Sequence, residues 1–190
     1  GSGGSGGGGG TGGAGPLIPP YQVLSGTAVV DGDGCIVAGT EPVLVAFDEP
    51  IVGPVTMEAE GTLQPDPNGG PLAAVALLQV CSGGLVNGNT LEGCHLGRVS
   101  QNINTNEGVL AIFDTNFVEL VKERWPPPAT VNDVTVVFAS NLSAETLSID
   151  LTVDGGSPVA TNASGLGTPG GTSIGLLLQN TRACRFTIVQ

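Results

Sequence analysis

The residues with the most clearly defined chemistry in this chain are its four cysteines, Cys35, Cys81, Cys94 and Cys184. Their spacing matches neither a CxxC redox pair nor a paired zinc-binding pattern. An even number of cysteines in an acidic, lysine-poor chain instead indicates two disulfides formed in an oxidising compartment. Three pairings are possible. We favour Cys81–Cys94, which closes a short Gly/Asn-rich loop, together with Cys35–Cys184, and a loop-entropy model gives each bond roughly 3–5 kcal/mol.

The single histidine, His95, could act as a general base only beside a nucleophile and an orienting carboxylate. The sequence has no G-x-S-x-G segment, and Leu91 stands where a haem-attachment motif ending in Cys94-His95 would need its first cysteine. Any two of the seventeen acidic residues could pair for glycoside hydrolysis, but one Trp, one Tyr and five Phe provide few platforms for a sugar. An enzyme is therefore the least favoured class, and we expect no catalytic residue and no cofactor.

The segment Asp31-Gly-Asp33-Gly resembles the start of a calcium-binding loop. A complete loop needs a third ligand, a further glycine and a distant glutamate, whereas Cys35 and Ile36 follow here. We interpret the segment as a hairpin turn beside a disulfide and predict no metal site. Weak calcium binding is the lesser alternative.

The charge balance limits the kinds of partner. Seventeen acidic residues against five basic ones give a formal net charge of -12, and no Lys or Arg precedes Arg98. Such a chain repels phosphate backbones and anionic lipid heads, so we expect no nucleic-acid partner. No apolar run approaches the length of a membrane-spanning helix. Two glycosylation sequons, at Asn141 and Asn162, arise easily by chance and carry little weight.

These residues must be positioned by short strands. Apolar residues alternate with polar ones over 43–47, 55–59, 147–153 and 184–188, as expected of half-buried β-strands. Further candidate strands are 22–30, 35–38, 72–80, 109–113, 134–139 and 174–179. Gly- and Pro-rich breakers such as 31–34, 65–71, 82–84 and 165–171 separate nearly all of them. The sequence therefore predicts an all-β fold, a single antiparallel β-sandwich or jelly roll.

One short crossover helix is predicted at about residues 117–125. Asn116 could cap it, with Glu119 completing a capping box, and apolar side chains follow at helical spacing. The three prolines at 126–128 would end it after Trp125.

The N-terminal region divides into a tether and an arm. Residues 1–15 include eleven glycines and are interpreted as a flexible tether, either an added linker or a natural spacer. Residues 16–25 form an extended arm whose apolar side chains are Leu17, Ile18, Tyr21, Val23 and Leu24. Such an arm could be donated as a strand to the sheet of a neighbouring subunit. It could equally be the first edge strand of its own sandwich domain, which comprises residues 26–190.

The function favoured by these features is a structural subunit of an extracellular filament, pilus or coat. Under this hypothesis it self-associates into a homo-oligomer or polymer by addition of the 16–25 strand to the next subunit. Two alternatives remain. One is a secreted module that binds a carbohydrate or a host surface through loops 82–95 and 161–172, and the other is a viral capsid or fibre decoration protein.

Overall fold

The structure, a computed structural model, describes residues 18–190. Leu17 and the tether lie outside the described residues. Within 18–190 every regular element is a β-strand, and there is no helix long and apolar enough to cross a bilayer. In chain order the strands are β1 (Tyr21–Ser25), β2 (Val29–Val30), β3 (Ile36–Ala38), β4 (Val43–Phe47), β5 (Val55–Leu63), β6 (Val75–Asn87), β7 (Thr90–Glu92), β8 (His95–Asn102), β9 (Glu107–Phe113), β10 (Glu119–Trp125), β11 (Asn132–Asn141), β12 (Thr146–Val153), β13 (Val159–Ser164), β14 (Ser173–Gln179) and β15 (Thr181–Val189).

The strands form two antiparallel sheets that pack face to face. Sheet A has eight strands in the order β1-β4-β14-β6-β8-β9-β10, with β7 paired to β6. Sheet B has seven strands in the order β13-β12-β11-β5-β15-β3-β2. The predicted β-sandwich is therefore confirmed.

The main core lies between the two sheets because each strand alternates buried and outward residues. On β12, Leu147, Ile149 and Leu151 are at most 1% exposed, whereas Asp150 faces solvent. The rings of Phe47 and Phe186 stack across the interface with centroids 4.4 Å apart. Each fully buried side chain of this size stabilises the fold by roughly 1.5–3 kcal/mol.

The predicted helix at about 117–125 is wrong. Residues Glu119–Trp125 form β10, which pairs with β9, and a tight turn precedes it. Phe117 and Leu120, two apolar residues that a helix at these positions would lay on the sheet, are 57% and 42% exposed. Extended backbone is preferred because it brings the Trp125 ring, 2% exposed, onto Gly108 of β9, where any Cβ would overlap the indole.

The N-terminal arm belongs to its own domain. Tyr21–Ser25 form the edge strand β1 of sheet A and pair with β4 of the same chain. Ile18 and Tyr21 pack against the main core, and the Tyr21 ring meets Phe47 edge-on at 6.3 Å. Leu24 packs on the outer face of sheet A, and Val23 is 45% exposed. The described part of the arm is thus occupied within its own sandwich rather than donated.

Candidate functional site

The outer face of sheet A carries two adjacent rows of side chains that cross its strands. The first row consists of Leu44, Leu177, Gln79, Arg98, Ala111 and Lys122. The second row consists of Gln22, Ala46, Gly175, Cys81, Leu96, Phe113 and Glu119. An outward sheet face is ordinarily polar, yet the centre of this one is apolar and buried. The centre of this face must therefore be covered by another part of the chain.

The cover is a β-hairpin, residues 85–92, which we call the flap. It is formed by the end of β6 and by β7, and it folds back over the sheet. Leu91 of the flap is 7% exposed and fills the space that a Cβ on Gly175 would need. The Cys81–Cys94 disulfide, with Cα atoms 5.2 Å apart, ties the base of the flap to β6. The Cys81–Cys94 pairing that the sequence favours is thus present, and it fixes the flap over the outer face of sheet A.

A second wall is the turn of residues 114–118, which we call the Phe117 turn. Oδ1 of Asp114 accepts hydrogen bonds from the backbone N–H groups of Asn116 and Val118, at 2.8 and 2.9 Å. Phe117 has a φ of 63°, a left-handed conformation that turns of this kind usually give to Gly or Asn. A bulky residue held there stores roughly 1–3 kcal/mol of strain, and such strain concentrates at functional sites.

Between the flap and the Phe117 turn lies a cavity of about 210 Å³. Its lining includes Leu44, Leu177 and Gln79 of the sheet, Thr90 and Leu91 of the flap, and Phe117. Sites for drug-sized ligands measure about 300–1,000 Å³, so this cavity suits a ligand of one ring. The exposed ring of Phe117 thus faces a small cavity that is also lined by the Gln79 carboxamide and the Thr90 hydroxyl.

Arg98 lies beside this cavity on β8. Its Nε donates a hydrogen bond to Oε1 of Gln79 at 3.0 Å, and its guanidinium lies over the Phe113 ring, 4.6 Å from the centroid. Burial lowers the pKa of Arg98, an effect that the nearby Glu119 carboxylate partly offsets. Among residues 18–190, no carboxylate oxygen lies within 4.0 Å of this guanidinium. Arg98 is therefore a half-buried cation without a direct counter-ion in the described part of the chain.

The two loops proposed for a binding module, 82–95 and 161–172, meet at one end of the sandwich. The backbone N–H groups of Gly170 and Gly171 donate to the carbonyls of Gly93 and Gly83, both at 2.9 Å. A Cβ on Gly93 would collide with the Gly170 backbone, so this approach requires glycine. The base of the flap is thus braced by the neighbouring loop.

His95 does not form a catalytic group. It is fully buried, and its Nε2 lies 2.7 Å from the Gly167 carbonyl oxygen. The nearby hydroxyls of Ser82 and Ser140, at most 3% exposed, hydrogen-bond to each other at 2.8 Å. Solvent and substrate do not reach these groups, so the histidine braces the loop end instead.

The Asp31-Gly-Asp33-Gly segment is a hairpin turn held by an arginine. Nε and Nη2 of Arg182 donate to Oδ2 of Asp31 and Oδ2 of Asp33, both at 2.6 Å. Arg182 adjoins the Cys35–Cys184 disulfide, the other sequence-favoured pairing. The weak calcium site is not supported, because the arginine engages both carboxylates and residues 18–190 contain no group of three or more metal-ligating side chains.

A second groove, of about 490 Å³, lies on the outer face of sheet B. It is lined by short aliphatic, hydroxyl and carboxamide side chains and by both sequon asparagines. Asn141 is tied into a turn by accepting the Ala144 N–H, whereas Asn162 is exposed. Because its lining includes neither an aromatic ring nor a charged side chain, this groove is a weaker candidate than the cavity on sheet A.

Comparison with known proteins finds similarity at the level of three-dimensional structure. No family model and no curated protein sequence matches the chain. The winged bean acidic lectin complexed with methyl-α-D-galactose is 13% identical, with a TM-score of 0.63, over 89% of this chain and 90% of that one. Lectin II from Ulex europaeus is 12% identical, with a TM-score of 0.61, over 90% and 91%. The carbohydrate binding module CBM66 from Bacillus subtilis is 10% identical, with a TM-score of 0.57, over 90% and 93%.

These similarities correct the filament hypothesis. A pilus or coat subunit that polymerises by donating residues 16–25 is wrong, because the similar structures are lectins and a carbohydrate binding module and Tyr21–Ser25 pair within their own sheet. The sequence did not identify Gln79 or Arg98 as candidate site residues, and it did not predict that the Phe117 side chain would be exposed. The Asp114-Thr-Asn segment between two alternating runs was the signal for a hairpin turn that would have placed Phe117 correctly. The chain has the β-sandwich fold of the lectin structures that it resembles.

Proposed function

We propose that this chain is a non-catalytic glycan-binding module whose site is the cavity between the flap and the Phe117 turn. The observation that carries the proposal is Phe117, a bulky ring kept exposed, in a strained backbone conformation, at the rim of a small cavity. The likeness to lectins and to a carbohydrate binding module supports the same class of ligand.

The chemistry of the cavity fits a sugar ring. An exposed aromatic ring offers a flat apolar surface to the C–H face of a pyranose. The carboxamide of Gln79, the hydroxyl of Thr90 and the guanidinium of Arg98 supply planar or adjustable hydrogen-bonding groups for ring hydroxyls. Leu44 and Leu177 form an apolar floor that excludes water from these contacts.

We further propose that the protein works outside the cell or at its surface. Two disulfides support this location, because such bonds persist mainly in oxidising compartments.

Binding of the full chain to a glycan array tests the proposal. Retention of defined glycans is expected, and Phe117→Ala should abolish most of it because the stacking surface is gone. Leu72→Ala is the matched control, since Leu72 is an apolar side chain, 68% exposed, at the opposite end of β6. Absence of retained glycans, or equal loss in both variants, would contradict the proposed function.

A further inference from the structure

Basic residues are concentrated on the strands of one face of this acidic molecule. The chain has only five basic residues, and three of them, Arg98, Lys122 and Arg124, lie on the outer face of sheet A. Two of the seventeen acidic residues, Glu107 and Glu119, lie on the same strands and face. The part of this face formed by β8, β9 and β10 therefore carries three basic and two acidic side chains in a chain of net charge -12.

Two of these cations have no direct carboxylate partner in the described chain. Arg124 is bound to Glu107 at 2.6 Å, whereas residues 18–190 place no carboxylate within 4.0 Å of Arg98 or Lys122. Leaving a half-buried guanidinium without a counter-ion costs free energy that an incoming anion can recover.

Arg98 and Lys122 stand in one row with a small residue between them. Arg98 pairs with Ala111 across β8 and β9, and Ala111 pairs with Lys122 across β9 and β10. Adjacent strands are about 4.8 Å apart, so the two backbones are separated by roughly 10 Å. Ala111 itself is covered, at 1% exposure, so the charged ends of the two long side chains can approach each other only at the surface over it. Phe113, in the neighbouring row, already orients the guanidinium through a cation–π contact.

We propose that the site is selective for acidic sugars, with Arg98 and Lys122 holding the carboxylate of a uronic acid between their charged groups. The inference rests on the glycan-binding function proposed above and adds the ligand class. A guanidinium binds a planar carboxylate through two parallel hydrogen bonds, which a neutral sugar hydroxyl does not reproduce.

The net negative charge of the molecule does not oppose this selectivity strongly. Charges separated by more than about 8–10 Å are largely screened at physiological ionic strength. Glu119 is the acidic neighbour that matters, because it is opposite Phe113 and already acts on Arg98. Its carboxylate weakens the attraction of the site for an acidic ligand.

The test compares acidic polysaccharides with their neutral esters. Immobilised polygalacturonate, alginate and hyaluronan, each beside its methyl-esterified form, are probed with the full chain by biolayer interferometry. At least one acidic polymer should bind about 10- to 100-fold more tightly than its ester, as expected when charge-assisted hydrogen bonds are lost. A poly-glutamate peptide should not bind comparably, because it offers carboxylates without a ring.

Variants separate a direct contact from loss of structure. Arg98→Gln and Lys122→Gln should lower affinity for the acidic form towards that of its ester. Glu119→Gln should raise affinity for the acidic form and leave the ester unchanged, a gain that misfolding does not produce. Arg185→Gln is the control, since Arg185 lies on β15 of the opposite sheet and pairs with Glu60 at 3.2 Å.

The outcomes also separate this inference from the function on which it rests. Equal binding of acidic and esterified polymers, or retention of neutral glycans alone on the array, overturns the acidic selectivity and leaves glycan binding intact. Equal binding of poly-glutamate overturns the assignment to a sugar. If the array retains no glycan of either kind, both the selectivity and the proposed function fail.

Discussion

Replacing Phe117 should reverse the usual stability order of glycine and alanine. In ordinary strand or turn positions Gly is less stable than Ala by roughly 0.5–1 kcal/mol, because it gains more freedom in the unfolded chain. Phe117 has a φ of 63°, where a Cβ is unfavourable and glycine is not. We therefore expect Phe117→Gly to be more stable than Phe117→Ala.

The size of the difference follows from what the two variants share. Both remove the same ring and the same contacts, so those terms cancel between them. A Cβ in the left-handed region costs roughly 1–2 kcal/mol. Subtracting the entropic cost of glycine, roughly 0.5–1 kcal/mol, leaves Gly ahead by about 0.8 kcal/mol at the midpoints of the two ranges. For a chain of this size each kcal/mol moves the melting temperature by about 2–4 °C.

The assay is thermal or urea unfolding followed by the fluorescence of Trp125, the single tryptophan, which is 2% exposed. The same pair of substitutions at Leu72 is the control, because Leu72 is not among the residues with positive φ and should keep the usual order. Both Phe117 variants should lose glycan binding. An alanine variant as stable as the glycine variant would refute the claim that Phe117 is held in a left-handed backbone conformation that disfavours a side chain.

Three further predictions concern the supports of the site. Removing the disulfide with the double substitution Cys81→Ala and Cys94→Ala should lower the free energy of unfolding by about 3 kcal/mol and weaken glycan affinity, measured by urea unfolding and titration; unchanged affinity would show that the flap does not shape the cavity. Gly175→Ala should displace the buried leucine of the flap, weaken binding in the same titration and lower the melting temperature, because overpacking costs roughly 1–3 kcal/mol; wild-type affinity would contradict this contact. The Arg182 guanidinium, through its hydrogen bond, lowers the pKa of Asp31; the Cys35 and Asp33 N–H groups add to this effect and burial opposes it. The interaction should therefore stabilise the fold above the ordinary aspartate pKa of 3.8, and this stabilisation should be lost as the pH falls below that value. Unfolding of Arg182→Gln at pH 2–6 should show a smaller acid dependence, and an unchanged slope would refute the assignment.

The strands of the core were predictable because burial imposes a local period of two. Leu147, Ile149 and Leu151 alternate with polar residues in the sequence and lie in the core as expected. The Gly-rich segment 82–84 was expected to interrupt a strand, yet β6 continues through it to Asn87. Gly84 is needed there because the two disulfide sulfur atoms lie where its Cβ would be, a contact that appears only once the flap has folded back.

The cavity itself was harder to predict because its residues come from separate strands. Gln79 and Arg98 are adjacent only through the β6–β8 register, and Leu177 joins them through β14. Helical spacing over Phe117–Trp125 misled the prediction because the spacing of isolated apolar residues does not show which of them will be buried. The segments 82–95 and 161–172 were expected to be loops; they meet at one end of the sandwich, but much of both belongs to strands β6, β7 and β13, and the cavity beside them was not foreseen.

The measurement that tests the central claim most directly is nuclear magnetic resonance of the isotopically labelled full chain, titrated with each glycan that the array retains. The account predicts shift changes at the methyl groups of Leu44 and Leu177, which line the cavity on sheet A, and at Nε of Arg98, which donates a hydrogen bond to Gln79 in the same lining. Changes confined to Ser148 and Asn162, in the groove of sheet B, would place the ligand on the wrong face and contradict it.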